Sequence, residues 1–189
     1  MNGLLFLAGL TATLPIGPSP SSIPPSPFPS PARADTLPDW LRRHMANRVA
    51  GTGRWVADNA AYRGTDEPID AYGMEWTWGP GRQSIRGRLF GLQGDREVGT
   101  YWHFQLAWHP AERRPVLYQF GAGGAVGIGP MDFQEGKLIV DQIFYRPDGS
   151  SIRTRHESEE SGGLDDSRSF DWEGGRWVAR RHYLWRRTG

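Results

Sequence analysis

From residue 53 onward the chain alternates apolar and polar positions with a period of two. Thr100, Trp102, Phe104, Leu106 and Trp108 share one face of an extended segment, and Tyr101, His103, Gln105 and His109 share the other. Side chains of a strand point alternately to its two faces, and aromatic and β-branched residues suit a pleated, half-buried surface. Runs of this kind recur near 53–58, 71–78, 83–92, 98–108, 115–121, 138–146, 151–157, 167–172 and 176–187. Gly79-Pro80-Gly81, Gln93-Gly94-Asp95, Pro147-Asp148-Gly149 and Glu173-Gly174-Gly175 separate them, which is turn chemistry suited to hairpins. The pattern predicts an all-β fold of about ten antiparallel strands, closed as an up-and-down barrel so that no strand edge stays exposed. Ahead of the strands, Trp40, Leu41, Met45 and Val49 stand at near-helical spacing behind Pro38. They predict a short helix over 38–49 that packs against or plugs one barrel end.

The first 34 residues read differently. Leu4 to Leu14 is apolar over signal-peptide length, and Ala32-Arg33-Ala34 has the small-x-small form of a processing site. Between them, Pro15 to Pro31 holds eight of the fifteen prolines, interleaved with serine, which predicts an extended tether. The expectation is a signal peptide plus linker over 1–34, a barrel domain over 35–189, and a periplasmic or secreted location; the alternative is an uncleaved anchor with a linker, or a mis-assigned start codon. No Lys or Arg precedes Leu4, a departure from the usual charged start of such a leader.

Composition narrows the functional classes. The chain has no cysteine, which excludes disulfides, thiolate catalysis and cysteine-rich zinc sites. Net charge is +1 with both signs interspersed, so there is no electrostatic footprint for nucleic acid. Aromatic residues make up 12%, nine of them Trp, which either line a large interior or fill a small one.

Gly53-Arg54-Trp55, entering the first strand after a short helix, resembles the opening of lipocalin-type (calycin) barrels. Ser169-Phe170-Asp171-Trp172, Gly175-Arg176-Trp177 and the run from His182 to Arg187 are similar to the final hairpin of small bacterial lipocalin-like proteins, and more loosely to that of nitrobindin. The resemblance covers 37–189. It implies an up-and-down β-barrel with an internal cavity, and no chemistry by itself. The nitrobindin comparison implies a haem-ligating histidine near the C-terminal strands, for which His182 is the candidate. His182 shares a face with Leu184 and Arg186, opposite Trp177, Tyr183 and Trp185, so an aromatic interior turns it outward.

Several motifs carry less than they first suggest. Gly123-Gly124-Ala125-Val126-Gly127-Ile128-Gly129 looks like a dinucleotide-binding loop, yet Pro130 follows at once and no helix pattern succeeds it. It is read as glycine-rich strand ends with a bend. His103 and His109 share a strand face but stand ~20 Å apart at ~3.3 Å per residue, too far to share a metal. His44 falls on the helix and His156 on a polar strand. No serine sits in a nucleophile elbow. Glu75 and Asp141 lie mid-strand, where solvent exposure is their expected fate.

The expected function is binding of a small, mostly apolar ligand, anions included, in the barrel cavity, with no cofactor, metal or catalytic residue assigned. The candidate ligand-binding residues are Trp76, Trp102 and Phe104 as apolar lining, and Tyr101, His103, Arg86 and Arg88 as polar groups. Arginine's planar fork suits a carboxylate head group, provided that bends at Gly87, Gly91 and Gly99 turn such residues inward. The alternatives are a cavity enzyme of isomerase, cyclase or hydratase type using His103 with a carboxylate, a haem-binding barrel, and a barrel filled by its own side chains that acts by its surface.

Residues 1–34 carry no apolar periodicity that a core could use. The fragment Asp35–Gly189 is therefore expected to unfold at the same temperature as the full chain; a midpoint lower by many degrees would show that the leading segment packs.

Overall fold

The computed structural model describes residues 37–189, and the leader-like and proline-rich segments lie outside the described residues. One helix, α1 (Asp39–Arg48), precedes ten strands: β1 (Arg54–Asp58), β2 (Ala71–Trp78), β3 (Ser84–Gln93), β4 (Arg96–His109), β5 (Arg114–Gly121), β6 (Val126–Gln134), β7 (Lys137–Tyr145), β8 (Ser151–Ser161), β9 (Leu164–Glu173) and β10 (Arg176–Thr188). Each strand pairs antiparallel with its sequence neighbours, and β1 pairs with β10 to close a barrel. Closure leaves no unpaired edge, as the succession of hairpin turns predicts. Among the described residues no helix is long and apolar enough to cross a membrane.

The strand that the sequence pattern does not show is β6. Gly127 and Gly129 take the places where inward apolar side chains would mark a strand. The Phe144 ring and the backbone of Asp141 and Gln142 occupy the space that their Cβ atoms would need. Pro130 lies between them and Met131, and the β6–β7 ladder passes from Ile128↔Ile143 to Met131↔Val140 with no pair at Gly129 and Pro130. A residue without an N–H thus sits where no ladder bond is asked of it.

Leu41 and Met45 of α1 are fully buried, and so, almost completely, are His44 and Arg48 one turn apart on the same side. The helix therefore buries a polar face as well as an apolar one, across the end of the barrel where β8 ends and β9 begins. Arg48 Nη2 donates to Asp165 of β9 at 2.5 Å, and its Nε lies 2.8 Å from Glu160 of β8. His44 Nδ1 and Asn47 Nδ2 each lie 3.1 Å from the other Glu160 oxygen. Trp40 stacks on Phe133 of β6 with centroids 5.9 Å apart.

Trp55 is the apolar centre of this closed end. Its side chain is fully buried, its indole N–H donates to the Arg48 carbonyl at 3.0 Å, and the guanidinium groups of Arg48 and Arg187 each lie 5.0 Å from its ring. Arg187 in turn donates to the Asn47 carbonyl at 3.2 Å, so the last strand, the helix and the first strand converge on one ring. Gly53 has a φ of 69°, and a Cβ there would stand 2.2 Å from the Trp76 carbonyl oxygen. Its own carbonyl accepts from the Trp76 N–H at 2.9 Å. The close approach of β1 to β2 needs glycine two residues before the tryptophan.

Trp55→Ala is expected to cost about 3–5 kcal/mol in urea unfolding, the range for deleting a buried aromatic ring. Trp172→Ala, on the outer wall, is expected to cost well under that. Equal losses would mean that Trp55 does not anchor the closed end.

Candidate functional site

Inside the barrel lies a cavity of about 490 Å³. Its lining divides by strand. Strands β2 to β7 contribute an apolar wall, with Met74, Trp76, Leu89, Trp102, Phe104 and Phe144 prominent in it. The rings pack as ordered pairs: Trp76 stacks on Phe104 at 5.2 Å, and Trp102 meets Phe144 edge-on at 5.2 Å. Strands β8 and β9 contribute a polar stripe of Thr154, His156, Ser158, Ser167, Ser169 and Asp171. Arg48 and Asp165 form the floor at the helix end, and Ala125 and Arg146, on the loops after β5 and β7, stand at the other.

Of the residues that the sequence singles out, Trp76, Trp102 and Phe104 line this cavity. Arg86, Arg88 and His103 do not. Alternation explains it: Ile85 and Leu89 occupy the inward positions of β3, and Trp102, Phe104 and Leu106 those of β4, so the residues between them face out. Arg86 is exposed and reaches only Thr77, at 3.4 Å. Arg88 donates to Glu75 at 2.8 and 3.0 Å, pairs with Glu97, and lies 4.5 Å from the Phe90 ring. Arg54 lies over the same ring at 5.0 Å, so this outer ion cluster roofs a fully buried aromatic. His103 is exposed.

Tyr101 is a separate case. The β3–β4 register shifts between Leu89↔Trp102 and Phe90↔Thr100, leaving Tyr101 as the extra residue of a bulge. Its ring lies edge-on to Tyr72 at 5.9 Å, beside Gly91 near the barrel rim. His182 lies on the outer wall, 2.9 Å from Asp166, away from the interior.

Sequence pattern does not single out the polar stripe, although its signal is present. Along β8 the inward positions are Thr154, His156 and Ser158, while Arg153, Arg155, Glu157 and Glu159 alternate with them. The contrast is between small uncharged groups and full charges, which an apolar-versus-polar reading treats as one class. Outside, Arg155 grips Asp141 at 2.7 and 2.9 Å, and Arg153 and Arg155 lie over Trp177 at 5.1 and 4.7 Å.

Electrostatics divides the interior as sharply. Burial would raise the Glu160 carboxyl, but the Arg48 charge and the hydrogen bonds from His44 and Asn47 hold it at about 2. Burial lowers His156 below its ordinary 6.5, against a weaker opposing pull from Asp171, so its imidazole is neutral at neutral pH. An unprotonated imidazole facing a cavity can accept a hydrogen bond or a proton from what lies there. At the rim, Glu67 on the β1–β2 loop accepts from Arg181 at 2.6 Å and from the Tyr72 hydroxyl at 2.8 Å. Tyr183, pushed up to about 12 chiefly by burial, donates to Asn59 at 2.9 Å. These contacts tie the loop between β1 and β2 to β10 beside the cavity mouth. Among the described residues no cluster of three or more His, Asp or Glu side chains could hold a metal ion.

Comparison with known proteins finds no matching family model, no matching curated protein and no matching solved structure.

Two acid transitions are expected. Both groups have folded pKa values below their ordinary ones, so each stabilises the fold at higher pH and loses that contribution as pH falls. His156 acts from 6.5 downward, and Glu160 from 4.5 toward about 2. The Glu160 share is on the order of 3 kcal/mol, at ~1.4 kcal/mol for each tenfold change in proton affinity. Melting temperatures from pH 7 to 3 are expected to fall in both windows, with His156→Gln flattening the upper and Glu160→Gln the lower. A midpoint constant across that range would mean that neither group titrates against the fold.

Proposed function

We propose that this protein is a lipocalin-like barrel that holds one small, mostly apolar molecule in its interior, and that it does so outside the cytoplasm. The observation that carries the binding role is the cavity itself. Ten strands enclose more space than the eight whose side chains just fill a barrel, and about 490 Å³ remains after the large rings are packed. That volume lies within the range of small-molecule sites, and a wall of aromatic and aliphatic side chains with a few convergent polar groups is their usual lining. The space argues against a barrel filled by its own core. The resemblance of Gly53-Arg54-Trp55 and of the final hairpin to lipocalin-like proteins supports the same reading, and the leader-like sequence of residues 4–34 is the support for export.

The neutral fluorescent probe N-phenyl-1-naphthylamine is expected to bind the purified protein saturably, one per chain. Leu89→Trp, which places an indole in the cavity, is expected to abolish this signal. Arg86→Ala and Arg88→Ala, on the outer wall, are expected to leave it unchanged. Undiminished binding to the Leu89→Trp protein would place the probe on the surface and remove the carrier reading.

A further inference from the structure

The polar groups that line the cavity divide by whether anything is left in them for a ligand. Arg48 is neutralised by Asp165 and Glu160, and Arg181 by Glu67. His44 lies 3.1 Å from Glu160, Gln119 donates to Gln142 at 2.7 Å, and the Tyr183 hydroxyl donates to Asn59 at 2.9 Å. Thr154 Oγ1 and Trp76 Nε1 have no partner, but both atoms are sealed from the open space. Arg146 is exposed at the rim.

Four uncharged side chains in the middle of the polar stripe remain: His156 and Ser158 of β8, and Ser167 and Ser169 of β9. All four are half-buried, and none makes a side-chain hydrogen bond among the described residues. None of their polar atoms is among the sealed ones either, so both imidazole nitrogens and the three hydroxyls have surface open to the cavity. Register sets them in two cross-strand pairs, His156 opposite Ser169 and Ser158 opposite Ser167. Paired residues on one face stand ~5 Å apart, and successive pairs ~7 Å. Buried Val140 flanks His156 from β7, and burial holds its pKa below 6.5. The imidazole therefore offers one donor and one acceptor nitrogen, and each serine can do both. Asp171, the next inward residue along β9, is the acid whose charge acts on the imidazole, and Arg180 donates to it at 2.7 Å.

We propose that the molecule held in the cavity is an uncharged, largely apolar compound bearing a hydroxyl group, which donates to an imidazole nitrogen of His156 and accepts from the Ser169 hydroxyl opposite it. The proposal rests on the carrier reading and narrows it. The acceptor nitrogen can be met only by a group that carries a proton to share. A hydroxyl meets both members of the cross-strand pair at once, because it donates and accepts; a carbonyl or ether oxygen only accepts and leaves the acceptor nitrogen unmet. A carboxylate is disfavoured twice. It would leave water to stand beside Asp171, and the buried arginines of the lining are already held by acids. The rings of β2, β4 and β7 on the facing wall receive the apolar body.

Three probes that share one ring system test this: 2-naphthol, 2-methoxynaphthalene and 2-naphthoate, each titrated calorimetrically into the full chain at pH 7. The naphthol is expected to bind about threefold to tenfold tighter than the ether, the range for one hydrogen bond, and both to bind tighter than the naphthoate. In His156→Phe the naphthol is expected to fall to the ether's affinity while the ether is unchanged. Ser169→Ala is expected to weaken both, because both offer an acceptor oxygen. Protein carrying isotope-labelled histidine decides the matter without a variant: of the five imidazoles, one is expected to move its acceptor-nitrogen resonance upfield with the naphthol and not with the ether. An ether that binds as tightly as the naphthol, or a preference that survives His156→Phe, would overturn the proposal and leave the carrier reading standing. So would binding of N-phenyl-1-naphthylamine but of none of the three. Tightest binding of the naphthoate would overturn it in favour of an anionic ligand, and binding of no probe at all would remove the carrier reading with it.

Discussion

The fold depends on the convergence of three chain segments upon the Trp55 ring. Strand β1 supplies the ring, α1 supplies Arg48 and a carbonyl acceptor for the indole N–H, and β10 supplies Arg187. A barrel closes only if its first and last strands meet, and these contacts lie at that seam, where Arg54 to Val56 pair with Arg186 to Thr188. Arg48 then extends the fastening across the barrel to β8 and β9 through Glu160 and Asp165. Buried ion pairs are weak sources of net stability because desolvation offsets their attraction, but removing one partner leaves a charge with no compensation. Their contribution here is one of position: α1 can sit over this end in one place only, where its arginine meets both acids.

That fastening also determines what the interior is free to do. The charged groups under the helix and along the β10 side of the rim have counter-ions, and the lining between them is rings on one side and small polar side chains on the other. An interior with unpaired charge would select for ions, and an interior of rings alone would select little beyond shape. This one sets a wall of aromatic and aliphatic side chains against a stripe of small polar groups, the usual lining of a small-molecule pocket.

Outside, the same alternation yields a different result. Charges that face water on β3 and β8 are not scattered: Arg54 and Arg88 share Glu75, and Arg153 and Arg155 share Asp141. Each cluster covers aromatic surface, Phe90 in one case and Trp177 in the other. The long aliphatic stems of arginine serve this purpose, since they shield a ring while the guanidinium stays solvated. Arg88, which as a candidate ligand group would have faced the cavity, is thus committed to the outer wall.

Local chemistry along the chain is enough to specify the strands whose alternation is apolar against polar, the helix, the turns and the inward facing of Trp76, Trp102 and Phe104. Those features need only turn propensities and the two-residue period of a strand. Strand β6 is not legible in this way because Gly127, Gly129 and Pro130 carry no apolar mark, and what makes them a strand is the neighbouring ring and backbone that fill their space. His156 reads only as part of a polar strand and Thr154 carries no mark at all, because no local pattern says that hydroxyls face inward when charges alternate with them. Closure of the barrel settles that, by giving every strand an inside. The roles of Arg48 and Glu160 are equally invisible along the chain, since two residues more than a hundred positions apart acquire a shared environment only when the helix lies across the barrel's end.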